Sequence, residues 1–267
     1  MTIDLKIITQ LRNQTGAGIA DCQSALEEAN SDINQAIEIL RKKGEIKAAK
    51  KADRATREGV VAIAKVANKA AAVVLTCETD FVSRNENFIS AASEYAKELL
   101  KIGEAEFKTW AEDNIKKDLI LKIGENITLG DFGIIEGETL GVYIHSNKKI
   151  SAIVSLAGLP AQAGGNEELA NVLAMQIVAM SPKCLKPEDL PTEELEKEKE
   201  IYRAQMKDEK KPAEIMDKII MGKLNKYYEE VCLLNQQFIK DDTKKISDLL
   251  KEAGEGAAVK EFKKFSV

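Results

Sequence analysis

An acid beside a large aromatic, Asp80 and Phe81, stands where the apolar run 70–77 gives way to the polar stretch Ser83-Arg84-Asn85-Glu86-Asn87. The run reads as a buried strand, so the tetrapeptide Thr79-Asp80-Phe81-Val82 is expected in its exit loop. An acid and a large aromatic delivered to such a loop can meet a partner through side chains and backbone. Only 5% of the residues are aromatic, so a loop position for one of them needs a reason. The pattern leaves two readings of Phe81 open: a plug over its own core, or a side chain offered to a partner. Asp80 is compatible with a turn cap, a contact, or both.

The remaining residues with reactive side chains point away from covalent chemistry. His145 is the single histidine, which leaves no His-rich metal site and makes a His-based triad improbable. Cys22, Cys77, Cys184 and Cys232 are scattered, form no CxxC pair, and read as reduced, small apolar residues. No phosphate-binding glycine loop is apparent. The expectation is a protein with no catalytic residue, no metal and no cofactor.

With 267 residues, 44% hydrophobic and 31% charged, the chain has the length for two or three cores. Its 39 basic and 44 acidic residues give a net charge of -5, which argues against direct nucleic-acid binding. No apolar run approaches the ~20 residues needed to span a bilayer. Met1-Thr2-Ile3-Asp4-Leu5 lacks a basic leader and a signal-peptide core, so the cytoplasm is the expected location and no membrane partner is expected.

The elements that position these residues follow from periodicity. Ile3, Ile7, Ile8 and Leu11, then Cys22, Ala25, Leu26 and Ala29, then Ile33, Ala36, Ile37 and Leu40 recur at helical spacing. Thr15-Gly16-Ala17-Gly18 and Asn30-Ser31-Asp32 separate these three helices, and Gly44 is expected to end the third. The basic, alanine-rich run 47–57 reads as a connector. Strand-like runs 60–67 and 70–77 flank Asn68-Lys69 as a hairpin, followed by a helix through Phe88, Ala92, Tyr95, Ala96 and Leu99 and a second one around Trp110. The pattern repeats: runs 140–144 and 150–156 flank Ser146-Asn147-Lys148-Lys149, and a helix spans 167–180. Between Glu193 and Lys218, 16 of 26 residues are charged, so this stretch cannot lie deep in a core. Lys211-Pro212 splits it into two antiparallel helices. The chain returns through Tyr227, Tyr228, Val231 and Cys232 and ends in a strand anchored by Phe262 and Phe265.

Several segments together resemble one family. Leu11-Arg12-Asn13-Gln14-Thr15-Gly16-Ala17-Gly18 with Asp21-Cys22 and Ala25-Leu26, and Ile39-Leu40-Arg41-Lys42-Lys43-Gly44 leading to Lys50-Lys51-Ala52, are similar to the opening module of the elongation factor Ts family. Cys77-Glu78-Thr79-Asp80-Phe81-Val82-Ser83-Arg84-Asn85 matches that family's most characteristic segment. Ile123-Gly124-Glu125-Asn126-Ile127, Tyr143-Ile144-His145, and Cys232-Leu233-Leu234 with Gln236 and Phe238 extend the resemblance in the expected order over almost the whole chain.

The fold implied is α+β. A ubiquitin-associated-like three-helix domain (residues 1–54) precedes a two-part core (55–139, then 140–180 with 229–267), and a helical hairpin arm (181–228) is inserted. The activity implied is guanine-nucleotide exchange on the GTPase elongation factor Tu, without covalent chemistry. The resemblance implies that Phe81 inserts between helices of the GTPase and disturbs Mg²⁺ and phosphate binding there, with Thr79, Asp80 and Val82 fixing the inserted loop. Burying one aromatic contributes about 1.5–3 kcal/mol, too little on its own against a tightly held nucleotide. Arg12, Ile19 and Ala20 are therefore expected to add contacts from the N-terminal module, and Gly124, Glu125, Asn126 and His145 from the core.

Departures from the family pattern are Gln176 for a histidine, Gln237 for a proline, and Ile19-Ala20 for a methionine pair. A ubiquitin-like adaptor would account for the first module but leave the Phe81 segment unexplained. The arm leaves open a homodimer contact, a second GTPase molecule, or solvent alone.

Overall fold

The computed structural model describes residues 3–160, 165–205 and 212–267. Met1 and Thr2, and Lys211 of the expected arm break, lie outside the described residues. The described elements run α1 (Leu5–Thr15), α2 (Ile19–Glu28), α3 (Ile33–Lys51), β1 (Glu58–Val66), β2 (Lys69–Cys77), α4 (Asp80–Ser83), α5 (Glu86–Ile102) and α6 (Glu104–Asn114). A short π-helical turn (Ile115–Leu119) leads into α7 (Ile120–Ile123), β3 (Ile127–Glu136), β4 (Thr139–Ile144), β5 (Ile150–Ala157) and α8 (Gly165–Met180). Then come α9 (Thr192–Gln205), α10 (Ala213–Val231), β6 (Gln237–Phe238), β7 (Asp241–Lys245), α11 (Ile246–Ala253) and β8 (Ala258–Ser266). This is the α+β architecture expected from the sequence.

By packing, the chain divides into two compact units. One comprises Met1–Ile134, Ile144–Ile150 and Phe265–Val267; the other comprises Ile135–Tyr143 and Ser151–Lys264. The three N-terminal helices thus fall in the same unit as the first sheet.

In the first unit, Asp4 caps α1 through Oδ1 to the Lys6 N–H, and Asp32 caps α3 through Oδ1 to the Gln35 N–H. Leu11, Cys22, Ala25, Leu26, Ala36 and Leu40 form the seam between the three helices. Gly44 does not end α3, which continues to Lys51. A Cβ at Gly44 would lie 3.2 Å from the Lys117 carbonyl oxygen, so glycine serves the close approach of α3 to the π-helical turn. Ala48, one turn on, is buried in the sheet's core.

β1 and β2 pair antiparallel from Glu58 opposite Cys77 to Val66 opposite Lys69. The turn is therefore Ala67-Asn68, one residue earlier than the expected Asn68-Lys69. β3 completes the sheet in the order β1-β2-β3. It was not anticipated, because Gly130, Asp131 and Gly133 break its alternation. Gly130 is needed where a Cβ would approach Val74 on β2 to 3.1 Å. Helix α5 lays Phe88, Ala92, Tyr95, Ala96 and Leu99 on this sheet. Tyr95, Phe107, Trp110 and Phe132 form an aromatic cluster, with Phe107 and Phe132 centroids 5.2 Å apart.

The second unit holds most of the sheet β4-β5-β8, with α8 against it through Ala170, Leu173, Ala174 and Ile177. The fit is tight: a Cβ at Gly141 would fall 2.0 Å from the Ala170 carbonyl oxygen. α9 and α10 meet along a thin seam of Leu195, Tyr202, Met216, Ile220 and Leu224. The Tyr227 hydroxyl donates to Glu194 and Lys223 Nζ donates to Gln205, so the two helices run antiparallel. Helix α10 carries straight through residue 228 to Val231, so the arm's second helix is also the return into the core.

Gln176, the departure from histidine, is fully buried and fully used. Its Nε2 donates to Gln236 Oε1 (3.1 Å) and the Gln237 carbonyl (3.0 Å), and its Oε1 accepts from the Ile239 N–H (2.9 Å). Replacing it by leucine takes the partner from the buried Gln236 side chain, the Gln237 carbonyl and the Ile239 N–H at once. Gln176→Leu is expected to cost about 1–2 kcal/mol, measured as a lower denaturant midpoint at unchanged slope; an unshifted midpoint would contradict this role.

Candidate functional site

The end of β2 does not open into a loop. Thr79 takes an extended conformation as an N-cap, and its Oγ1 accepts from the Val82 N–H (3.4 Å), starting the single turn α4. The Asp80 carboxylate pairs with Arg84 at 3.2 Å, and the Asp80 carbonyl accepts from Ser83 Oγ at 3.0 Å. Asn85 then caps α5 through Oδ1 to the Asn87 N–H. Four residues are too few for a period to show, which is why the sequence alone reads as a loop. The Asp80–Arg84 spacing of four is the one local clue to the turn.

This turn sends the four side chains in different directions. Phe81 is 82% exposed, the largest value among the described exposed apolar side chains. Val82 packs inward against the first unit's core. Thr79 faces a brace supplied by the segment after α7: its Oγ1 donates to Glu125 Oε1 (2.6 Å), and the Thr79 and Glu78 N–H groups both donate to Glu125 Oε2 (3.0 Å each). In return Glu78 Oε1 accepts from the Asn126 N–H at 2.6 Å. The two strands of chain thus exchange carboxylate–backbone hydrogen bonds, which are stronger than neutral ones.

The brace extends into the end of α3. Asn126, 3% exposed, donates from Nδ2 to the Arg54 carbonyl at 2.8 Å. Arg54 Nη1 reaches both Glu78 oxygens at 3.4 Å, and Lys51 Nζ donates to the Gly124 carbonyl. Gly124, at φ 89°, makes the left-handed turn that ends α7 and aims Glu125 at Thr79. Sequence reading picked out Glu125 and Asn126 as partner contacts. Here they support the turn from behind, and the buried Asn126 has no exposed side chain to offer. Glu78, Arg54 and Lys51 were missed, because their partners lie tens of residues away.

The Asn126 N–H, followed by Arg54, holds the Glu78 carboxyl below its ordinary value of 4.5. A carboxyl depressed by folding stabilises the fold above its unfolded pKa and loses that contribution as pH falls through the folded one. The stability gap between wild type and Glu78→Gln is therefore expected to be present at pH 7 and to shrink below about pH 4.5, read from urea midpoints across pH. A gap that is constant with pH would show that charge is not what Glu78 supplies. Cys77, buried beside the Thr79 carbonyl, is pushed up to about 12 by desolvation and is an inert thiol.

The other expected residues lie on the same unit. Arg12, Ile19 and Ala20 are exposed around the turn between α1 and α2, where Gly16 at φ 68° donates to the Arg12 carbonyl at 2.7 Å. A Cβ at Gly16 would touch the Lys122 side chain at 3.1 Å, so this turn abuts the helix end that carries Gly124. His145 is exposed at the end of β4. Its turn docks on β1 through the Val61 N–H to the Lys148 carbonyl (2.7 Å) and the Lys149–Glu58 ion pair (2.5 Å).

The family model described as Elongation factor TS matches residues 78–267, beginning one residue before Thr79. The protein thereby falls among the translation elongation factors. Curated relatives extend the likeness to the N-terminal helices. An elongation factor Ts of Marinobacter nauticus is 41% identical over 94% of this chain and 87% of its own length. That of a Hydrogenobaculum species is 39% identical over 100% and 99%, and that of Aquifex aeolicus 39% over 100% and 98%. The chain belongs to the elongation factor Ts family. Among the described residues no helix is long and apolar enough to cross a membrane.

Proposed function

We propose that this protein binds elongation factor Tu carrying GDP and promotes GDP release, acting in the cytoplasm as an exchange factor without covalent chemistry, cofactor or direct nucleic-acid contact. The observation that carries the reading is Phe81, 82% exposed on a turn held by three hydrogen bonds to one carboxylate. An apolar ring held out in water has an unmet gain from burial. A rigid mount lets it be inserted without the entropy cost of ordering a loop.

In this reading Phe81 enters between helices of the GTPase and shifts the element that positions Mg²⁺ and the nucleotide phosphates. Asp80 and Arg84 flank the ring at the surface. Arg12, Ile19 and Ala20 hold the partner from the N-terminal helices, and Gly124 and His145 add contacts from the core. Glu125, Asn126 and Val82 keep the turn in place. Insertion of the ring contributes about 1.5–3 kcal/mol, so the wider surface supplies the rest. By linkage, a factor that weakens nucleotide is itself weakened by nucleotide to the same extent. GTP binding then frees the factor.

The test is stopped-flow release of fluorescent GDP from elongation factor Tu with and without this protein. Accelerated release is expected, rising with its concentration. Release at the spontaneous rate would refute the proposal.

A further inference from the structure

Two cysteines far apart in sequence meet in the second unit. Cys184 and Cys232, 48 positions apart, hold their sulfurs 3.5 Å from each other. The backbone brings them there: residues 184 and 232 form a parallel β-bridge. Around it the Lys183 N–H donates to the Val231 carbonyl (2.8 Å), the Leu233 N–H to the Cys184 carbonyl (2.9 Å) and the Leu234 N–H to the Leu185 carbonyl (3.0 Å). Neighbouring strands lie roughly 4.8 Å apart, inside the window of about 4.4–6.8 Å that disulfides span between Cα atoms. Closing the sulfurs to about 2.05 Å therefore asks for side-chain rotation, not backbone movement.

We propose that Cys184 and Cys232 form a dithiol site that closes to an intramolecular disulfide when a low-molecular-weight disulfide is supplied. The bond ties the segment after α8 to the end of α10 and locks the base of the α9–α10 hairpin. Cys184 is partly exposed and Cys232 is fully buried, which assigns their roles. The Cys184 thiolate attacks the external disulfide R–S–S–R, forming a mixed disulfide and releasing one RSH. The Cys232 thiolate then attacks the Cys184 sulfur and releases the second RSH. Two protein thiols are oxidised by two electrons while R–S–S–R is reduced to two thiols.

The surroundings keep this closure slow. Burial raises both thiols, Cys232 to about 12, and Asp189 adds negative potential. In a reducing compartment the pair stays open, and sustained oxidation closes it. Cys22 and Cys77, both fully buried and with no thiol facing them, are internal controls. The site stands apart from the proposed exchange activity and does not depend on it.

The experiment treats the full-length protein with excess oxidised glutathione, alkylates the remaining thiols, and applies intact-mass and peptide-mapping mass spectrometry. Two of the four thiols are expected to be lost, with no glutathione retained and the 184 and 232 peptides joined. In Cys232→Ser the reaction is expected to stop at one glutathione on Cys184. Four alkylated thiols in the wild type, a stable glutathione adduct there, or a bond to Cys22 or Cys77 overturns the proposal. If Cys232→Ser does not fold, the wild-type map alone decides.

Discussion

Phe81→Ala is expected to lower the stimulated rate of GDP release about 30-fold or more, the effect of removing a binding hot spot worth at least about 2 kcal/mol. Its melting temperature is expected to stay within about a degree of wild type. The two halves of this expectation come from one number. At 82% exposure the ring contributes almost no buried area to its own fold, so truncation creates no cavity. The turn that carries it survives the change. Thr79 still caps α4, Asp80 still pairs with Arg84, and Glu125 still holds the Thr79 backbone. A variant that melts early would assign Phe81 to the core. One that stimulates release as strongly as wild type would end its proposed role while leaving binding by other residues intact.

Glu125→Ala is expected to act on both readouts. It removes the acceptor for two backbone N–H groups and one hydroxyl. Bonds to a charged group contribute more than neutral ones, but this site is only part-buried, so the loss is set at about 3 kcal/mol of stability. Stimulated release is expected to fall about 10-fold, because a loosened turn must be ordered at the moment of binding. Glu125→Gln keeps one carbonyl acceptor and is expected to fall between. The mount is separable from a direct contact by a double-mutant cycle with Thr79→Val. If Glu125 acts through Thr79, the two changes are strongly non-additive. Additive losses would return Glu125 to the partner surface, where the sequence first suggested it.

Much of the frame is legible in one dimension. The β1–β2 and β4–β5 hairpins follow from short apolar runs that flank turn residues, and the face of α5 and the three N-terminal helices from a period of 3.6. β3 is not legible, because its glycines answer to a neighbour: Gly130 makes room for Val74. Gly44 misleads for the same reason. Locally it reads as a helix end, whereas in the fold it admits the carbonyl of Lys117. The pairing of Cys184 with Cys232 has no sequence signature at all, since their spacing matches no motif and the contact exists only through the β-bridge.

The chain's residue types and their order were sufficient for the α+β class, the family, and Thr79-Asp80-Phe81-Val82 as the segment of interest. Periodicity and motif order are properties of neighbours, and neighbours are all a sequence displays. Which of the four side chains faces water is decided elsewhere: by Glu125, 46 positions beyond Thr79, and by the core that receives Val82. A side chain's direction is a contest between contacts from distant parts of the chain. Only the folded molecule brings those contacts together and leaves Phe81 outside.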